Sequence, residues 1–118
     1  MEAQTALAVY GTLRPGEVNH FVVKDIPGEW VEASVRGYQY EITWGPAGGY
    51  PGLTLDPAGH LVPVAVLVSE VLGDHLWKVD RFEGPGYQRR VVEIMDPAGS
   101  VTLGQASIYE TLTDIDAD

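Results

Sequence analysis

Asp80 and Glu83 stand just ahead of Gly84-Pro85-Gly86, and a phenol, Tyr87, and two guanidinium groups, Arg89 and Arg90, follow. A glutamate in the last turn of a helix faces the negative end of the helix dipole, which favours its protonated form. Burial against an apolar interior acts in the same direction, and a carboxyl group poised near neutral pH is what general acid/base chemistry requires. The same residues allow two blander arrangements. Glu83 can be a solvated carboxylate paired with Arg81 or Arg89, and Asp80, one turn earlier, can compete for the acid/base role. Spacing alone decides neither. Tyr87 can reach back towards Glu83 or simply pack, and a strand from Gln88 onward sends Arg89 and Arg90 to opposite faces, so that at most one serves a given site.

The second candidate is a turn. Ala6-Leu7-Ala8-Val9-Tyr10 is an almost unbroken apolar run that stops at Gly11, and Thr12-Leu13-Arg14-Pro15-Gly16 follows. A buried strand ending in such a turn leaves backbone N–H groups pointing away from the sheet. Converging amides next to a residue without a Cβ can receive a carboxylate or a developing oxyanion. An ordinary strand-to-loop turn has the same pattern.

These groups need elements to hold them. From Asp74, read as an N-cap, Leu76, Val79 and Phe82 or Glu83 recur at helical spacing, and Gly84-Pro85-Gly86 ends that helix. Glu17 to Lys24 is read as a second, shorter helix, with His20 in it as a structural residue. Trp30 to Thr43 is strand-like, and Gly45 to Gly49 is a loop where a pocket can be tailored. Pro51 and Gly52 argue for a surface bend at Tyr50-Pro51-Gly52-Leu53. Asp56-Pro57-Ala58-Gly59 and Asp96-Pro97-Ala98-Gly99 both match a type I turn, which predicts two hairpins, Leu53–Leu55 with Val62–Val68 and Val91–Met95 with Val101–Tyr109. Strands outnumber helices, so the expected fold class is α+β, a mixed, largely antiparallel sheet curling into a barrel with a few flanking helices.

At 118 residues and 45% apolar composition, the chain reads as one domain, with 113–118 as a flexible acidic tail. No apolar run approaches bilayer length and the N-terminal residues lack the basic region of a signal peptide, so the expected location is cytoplasmic. Without cysteine there is no disulfide, thiolate nucleophile or cysteine-held metal. A net charge of -10 with seven basic residues argues against a nucleic-acid partner.

Tyr10-Gly11-Thr12-Leu13-Arg14, Tyr50-Pro51-Gly52-Leu53, Val79-Asp80-Arg81-Phe82-Glu83-Gly84 and Tyr87-Gln88-Arg89-Arg90-Val91 occur in that order. Together they resemble the γ-glutamylcyclotransferase-like superfamily, in its short branch of γ-glutamylamine cyclotransferases and avirulence-induced-gene-like proteins, over residues 7 to 109. The resemblance implies a small β-barrel that cyclises a γ-glutamyl group to 5-oxoproline and releases the attached amine or amino acid. The substrate's own α-amine is the nucleophile, so neither metal nor cofactor is implied. By the same resemblance Glu83 is the proton-transferring carboxylate, and Tyr10, Gly11, Thr12 and Leu13 hold the glutamyl end. Tyr87 and Tyr109 match aromatic residues of the substrate site, and Asp80 supports the helix end. The implied partner is a small γ-glutamyl compound, with no nucleic acid or membrane, and the protein is a monomer or homodimer. Two positions depart from the family pattern: Ala65-Val66 replaces a Gly-Glu pair in the central strand, and Ser107 replaces a Trp ahead of the last aromatic. Both bear on the substrate more than on the reaction. The competing readings are a module of the same fold that binds a small carboxylate without turnover, and an interaction protein pairing through an exposed sheet edge.

Overall fold

The computed structural model describes residues 1–42 and 51–112. Its elements are β1 (Ala6–Val9), β2 (Glu29–Glu41), β3 (Pro51–Leu55), β4 (His60–Val68), the helix α1 (Leu76–Glu83), β5 (Tyr87–Met95) and β6 (Thr102–Thr111). The predicted loop at Gly45–Gly49 and the predicted tail at 113–118 lie outside the described residues.

Strand β1 explains the architecture. All four of its residues are buried, because each face covers a different core. Ala6 and Ala8, with Tyr10 beyond them, point into a cluster containing Val35, Val66, Ile94 and Ile108. Leu7 and Val9 point the other way, into a cluster with Leu67, Leu72, Val79 and Tyr109 that α1 covers. Such a strand must be central, and β1 pairs antiparallel with β4 and parallel with β6. The sheet order is β3-β2-β4-β1-β6-β5, and a contact between β2 and β5, Ser34 opposite Met95, closes the last five into a barrel with β3 as an extra strand. The Ser34 hydroxyl reinforces that closure by donating to the Asp96 carbonyl at 2.7 Å. The mixed barrel with one α-helix is the expected fold class.

The two Asp-Pro-Ala-Gly turns behave differently. At 96–99 the hairpin forms as predicted: Gly99 N–H bonds to the Asp96 carbonyl at 2.9 Å, and Asp96 Oδ1 accepts from the amides of Ser100 (2.7 Å) and Val101 (2.9 Å). At 56–59 the local bonds also form, Gly59 N–H to the Asp56 carbonyl at 2.8 Å and Ala58 N–H to Asp56 Oδ1 at 2.9 Å, yet no hairpin results. Strands β3 and β4 both run antiparallel to β2, with Leu55 and His60 both opposite Gly37. The turn is an excursion between two strands of one direction. Close backbone packing accounts for this, since a Cβ on Gly59 would lie 2.7 Å from the Gly37 Cα.

Three further expectations need correcting. Pro51 to Leu53 belongs to β3 and is not a bend: Pro51 is the first strand residue, where proline is tolerated, and the absence of a side chain on Gly52 leaves room for the Tyr40 ring, 2.7 Å from where a Cβ would sit. The segment Glu17–Lys24 holds only a single 3-10 turn, His20–Val22, because Asn19 N–H bonds to the Thr12 carbonyl and does not propagate a helix. Asp74 does not cap α1. It ends a 3-10 turn from Leu72, and His75 takes the N-cap position without a side-chain bond. The far end of α1 matches its prediction, since Gly84 adopts φ 76° and returns its N–H to the Asp80 carbonyl.

The outer edge of β3 is occupied. Leu53 N–H donates to Thr111 Oγ1 at 2.9 Å and Leu55 N–H to Glu110 Oε2 at 2.8 Å, which removes two donors that a pairing strand would need. Among the described residues, no helix is long and apolar enough to cross a membrane.

Candidate active site

The turn after β1 is built so that its carbonyls are used and its amides are not. The Gly11 carbonyl accepts from the Arg14 amide (3.2 Å) and from Arg14 Nε (3.1 Å), and the Thr12 carbonyl from the Asn19 amide (2.9 Å). The Leu13 carbonyl accepts from His20 Nδ1 at 2.8 Å, which requires that nitrogen to carry the proton. Asn19 Nδ2 adds a bond to Thr12 Oγ1 at 2.9 Å. Among the described residues, nothing accepts from the N–H groups of Gly11, Thr12 or Leu13. Three neighbouring donors without acceptors suit an anionic ligand. Gly11 owes its identity here to packing, because a Cβ would lie 3.3 Å from Pro51 Cγ.

Helix α1 carries the two carboxylates to different fates. Asp80 forms a two-point ion pair with Arg89, Nε to Oδ1 at 2.9 Å and Nη2 to Oδ2 at 3.1 Å, and its Oδ1 also accepts from the Tyr109 hydroxyl. Partial burial works against its charge, but the bonds from Arg89 and Tyr109 outweigh that effect and hold its carboxyl below the usual range. Glu83 is partly buried and makes no hydrogen bond or ion pair among the described residues. Burial alone pushes its carboxyl up to about 7. Arg89, a partner considered for Glu83, is therefore held by Asp80.

Three phenols stand at this end of the barrel. Tyr10 is buried and donates from its hydroxyl to the Tyr109 carbonyl at 2.6 Å, tying the end of β1 to β6. The Tyr87 hydroxyl donates to the Pro51 carbonyl at 3.3 Å, which connects the start of β5 to the residue packed on Gly11. Burial pushes the hydroxyls of Tyr10 and Tyr109 well above the ordinary phenol range, and the charge of Glu83 adds to the effect on both. Glu83 thus lies within electrostatic reach of the two side chains that join β1 to β6.

The structure therefore brings Glu83, Tyr10, Tyr87 and Tyr109 to one end of the barrel, with the Gly11 to Leu13 turn linked to them through Tyr10 and Pro51. Tyr10, expected to act through its backbone amide, is placed here by its phenol and by its carbonyl. The sequence reading did not single out Asn19 or Gln39. Asn19 holds Thr12, and Gln39 Nε2 donates to the Tyr10 carbonyl at 3.2 Å. Neither position carries a local signal, because each acts on a partner in a different element. The two departures from the family pattern lie in the barrel wall: Val66 is fully buried, and the Ser107 hydroxyl donates to the Ala3 carbonyl at 2.9 Å. Among the described residues, no three His, Asp or Glu side chains converge as a metal site.

A small closed barrel with a raised carboxyl at a helix end and an amide-lined turn beside it defines a class of barrel in which one acid and backbone donors supply the polar groups of the site. The sequence places this chain within that class: it belongs to the gamma-glutamyl cyclotransferase, AIG2-like family, whose pattern matches residues 7–117. No curated protein matches the chain. Among solved structures, an AIG2-like protein from Mus musculus superposes with a TM-score of 0.67 at 26% identity, covering 92% of this chain and 78% of the mouse protein. YkqA from Bacillus subtilis gives 0.66 at 25% identity, over 91% of this chain and 35% of its own. An uncharacterised protein from Pyrococcus horikoshii shares the fold, with a TM-score of 0.62 at 22% identity over 91% of this chain and 77% of that one.

Proposed function

We propose that this protein is a γ-glutamyl cyclotransferase acting on a γ-glutamyl amine or γ-glutamyl amino acid, with Glu83 as its general acid/base. The observation that carries this reading is the state of Glu83: partly buried, without a partner among the described residues and raised to about 7. A module that only holds a carboxylate has no need of a proton-transferring group.

In the reaction, the turn amides of Gly11, Thr12 and Leu13 receive the glutamyl end and the developing oxyanion, while Tyr10, Tyr87 and Tyr109 wall the site. The substrate's α-amine nitrogen, in its uncharged form, attacks its own γ-carbonyl carbon. Ionised Glu83 takes a proton from that nitrogen, a new C–N bond closes the five-membered ring, and the tetrahedral oxyanion collapses as the original amide C–N bond breaks. The protonated Glu83 delivers its proton to the departing nitrogen. 5-Oxoproline and a free amine result, no water is consumed and Glu83 ends as it began. Because both reacting groups belong to one molecule, folding the substrate into an attack geometry supplies much of the acceleration. Proton transfer and oxyanion stabilisation supply the rest.

The test is 5-oxoproline release from a panel of γ-glutamyl amines and γ-glutamyl amino acids by the wild type beside Glu83→Gln. Release by the wild type alone is the expected result. Equal release by the variant would remove Glu83 from the mechanism.

A further inference from the structure

An open groove of about 380 Å³ lies among Gln39, Tyr40, Glu41 and Pro51, where the end of β2 meets the start of β3. It adjoins the candidate site on two sides. Gln39 bonds the Tyr10 carbonyl, and Pro51 packs on Gly11 while accepting the Tyr87 hydroxyl. Tyr40 is near enough to the Tyr10 phenol to act on it electrostatically. Gln39 and Glu41 are two residues apart on one strand and project to the same face, so Glu41 shares the side on which Gln39 meets the turn. Glu41 is exposed, directly opposite Pro51, and forms no ion pair among the described residues.

We propose that this groove receives the leaving amine and that Glu41 selects leaving groups bearing a second, positively charged nitrogen, as a diamine or polyamine does. The proposal rests on the cyclotransferase reading for the words "leaving amine", but the preference for a cation rests on the groove. The groove adjoins the turn that would seat the γ-glutamyl group, through Gln39 on the Tyr10 carbonyl and Pro51 on Gly11, so it lies within reach of the amide substituent. An aliphatic spacer lies along Pro51, which is opposite Glu41 in the strand pair. A terminal ammonium then meets the Glu41 carboxylate. An amino-acid leaving group would bring its own carboxylate towards Glu41 and be disfavoured.

The experiment compares γ-glutamylcadaverine with γ-glutamylhexylamine, which replaces the terminal ammonium by a methyl group, in wild type, Glu41→Gln and Glu41→Lys. Dissociation constants by calorimetry and 5-oxoproline release are measured side by side. The wild type is expected to prefer the cationic compound about three- to tenfold, the scale of a solvent-accessible ion pair, and less so as salt is added. Glu41→Gln should bring the ratio close to one and Glu41→Lys should invert it. Equal binding of both compounds by the wild type, or a ratio that survives in Glu41→Gln, overturns the subsite. A ratio that behaves as expected without 5-oxoproline from either compound keeps the subsite and removes the cyclotransferase reading.

Discussion

Asp80 and Glu83 lie one turn apart at the end of the same helix, and their environments drive them in opposite directions. Asp80, with 42% of its side chain exposed, keeps its charge because Arg89 and Tyr109 hold both of its oxygens. Glu83, deeper in the barrel end and without such partners among the described residues, is pushed towards its neutral form by burial. Burial at Glu83 and the bonds from Arg89 and Tyr109 at Asp80 make the difference. Arg89 lies nine residues from Asp80 along the chain and reaches it because β5 returns beside α1, so it anchors one acid and leaves the other available. Two carboxylates with separated protonation behaviour are a familiar arrangement at acid/base sites, and the locked member here serves to position the helix end.

The sharpest way to break this comparison is to neutralise each acid in turn. Glu83→Gln is expected to lower 5-oxoproline release by about 10²- to 10⁴-fold, the usual contribution of a positioned proton-transfer group. Asp80→Asn is expected to cost no more than about tenfold, through loosened positioning. Assays of both variants on the same γ-glutamyl substrate check this, and equal losses would mean that the two acids act as one unit.

The pH profile sharpens it further. Because Glu83 must be ionised to accept the first proton, kcat/KM should carry a rising limb near 7, beside the rise that follows loss of a proton from the substrate's own α-ammonium. Burial alone raises this group, with no contribution from Asp80, so the limb should stay in place in Asp80→Asn. A displaced limb in that variant would show the two carboxylates to be coupled.

How much of this pair was legible in the sequence follows from the distances involved. The identity of Glu83 and its place at a helix end could be read from Val79 to Gly86, and the turn at Gly11 from the abrupt end of an apolar run. The pairing of Asp80 with Arg89 could not, because Arg81 is the nearer cation in sequence and only the path of β5 selects between them. The fold divides in the same way. The Asp96–Gly99 hairpin was legible because its flanking strands pair with each other, whereas Asp56–Gly59 has the same local chemistry and its strands pair with β2. Turn residues determine how the chain bends, and long-range packing such as Gly37 on Gly59 determines what the bend connects. Asn19 and His20 suggested a helix by their neighbours, but their side chains and amides are bonded to the turn at Thr12 and Leu13.

Stability should divide the two acids by sign. Glu83 has a folded pKa raised from 4.5 to about 7, so ionising it disfavours the folded state. That penalty is absent below the unfolded value, grows between the two values and is complete above about 7. Glu83→Gln should therefore stabilise the protein by about 1–3 kcal/mol at about pH 8 and hardly at all at about pH 4. Asp80 has a lowered folded pKa, and its contribution is present above its unfolded value and lost as pH falls through the folded one. Asp80→Asn should destabilise by no more than about 1 kcal/mol at about pH 8, since the ion pair is solvent-accessible. Urea denaturation at the two pH values checks both, and effects of one sign would break the comparison.

The smallest expected effect on the pH profile belongs to Tyr109→Phe. Its hydroxyl bonds Asp80, whereas the carbonyl that receives the Tyr10 hydroxyl belongs to the backbone and survives the change. The variant removes one hydrogen bond to a charged oxygen that Arg89 continues to hold, so about 0.5–1.5 kcal/mol should be lost in urea denaturation. Because Tyr109 does not contribute to the raised carboxyl of Glu83, the limb of kcat/KM near 7 should remain where it is. A shift of that limb in Tyr109→Phe, with Asp80 and Arg89 intact, would extend the proton-transfer site from Glu83 to the phenol beside it.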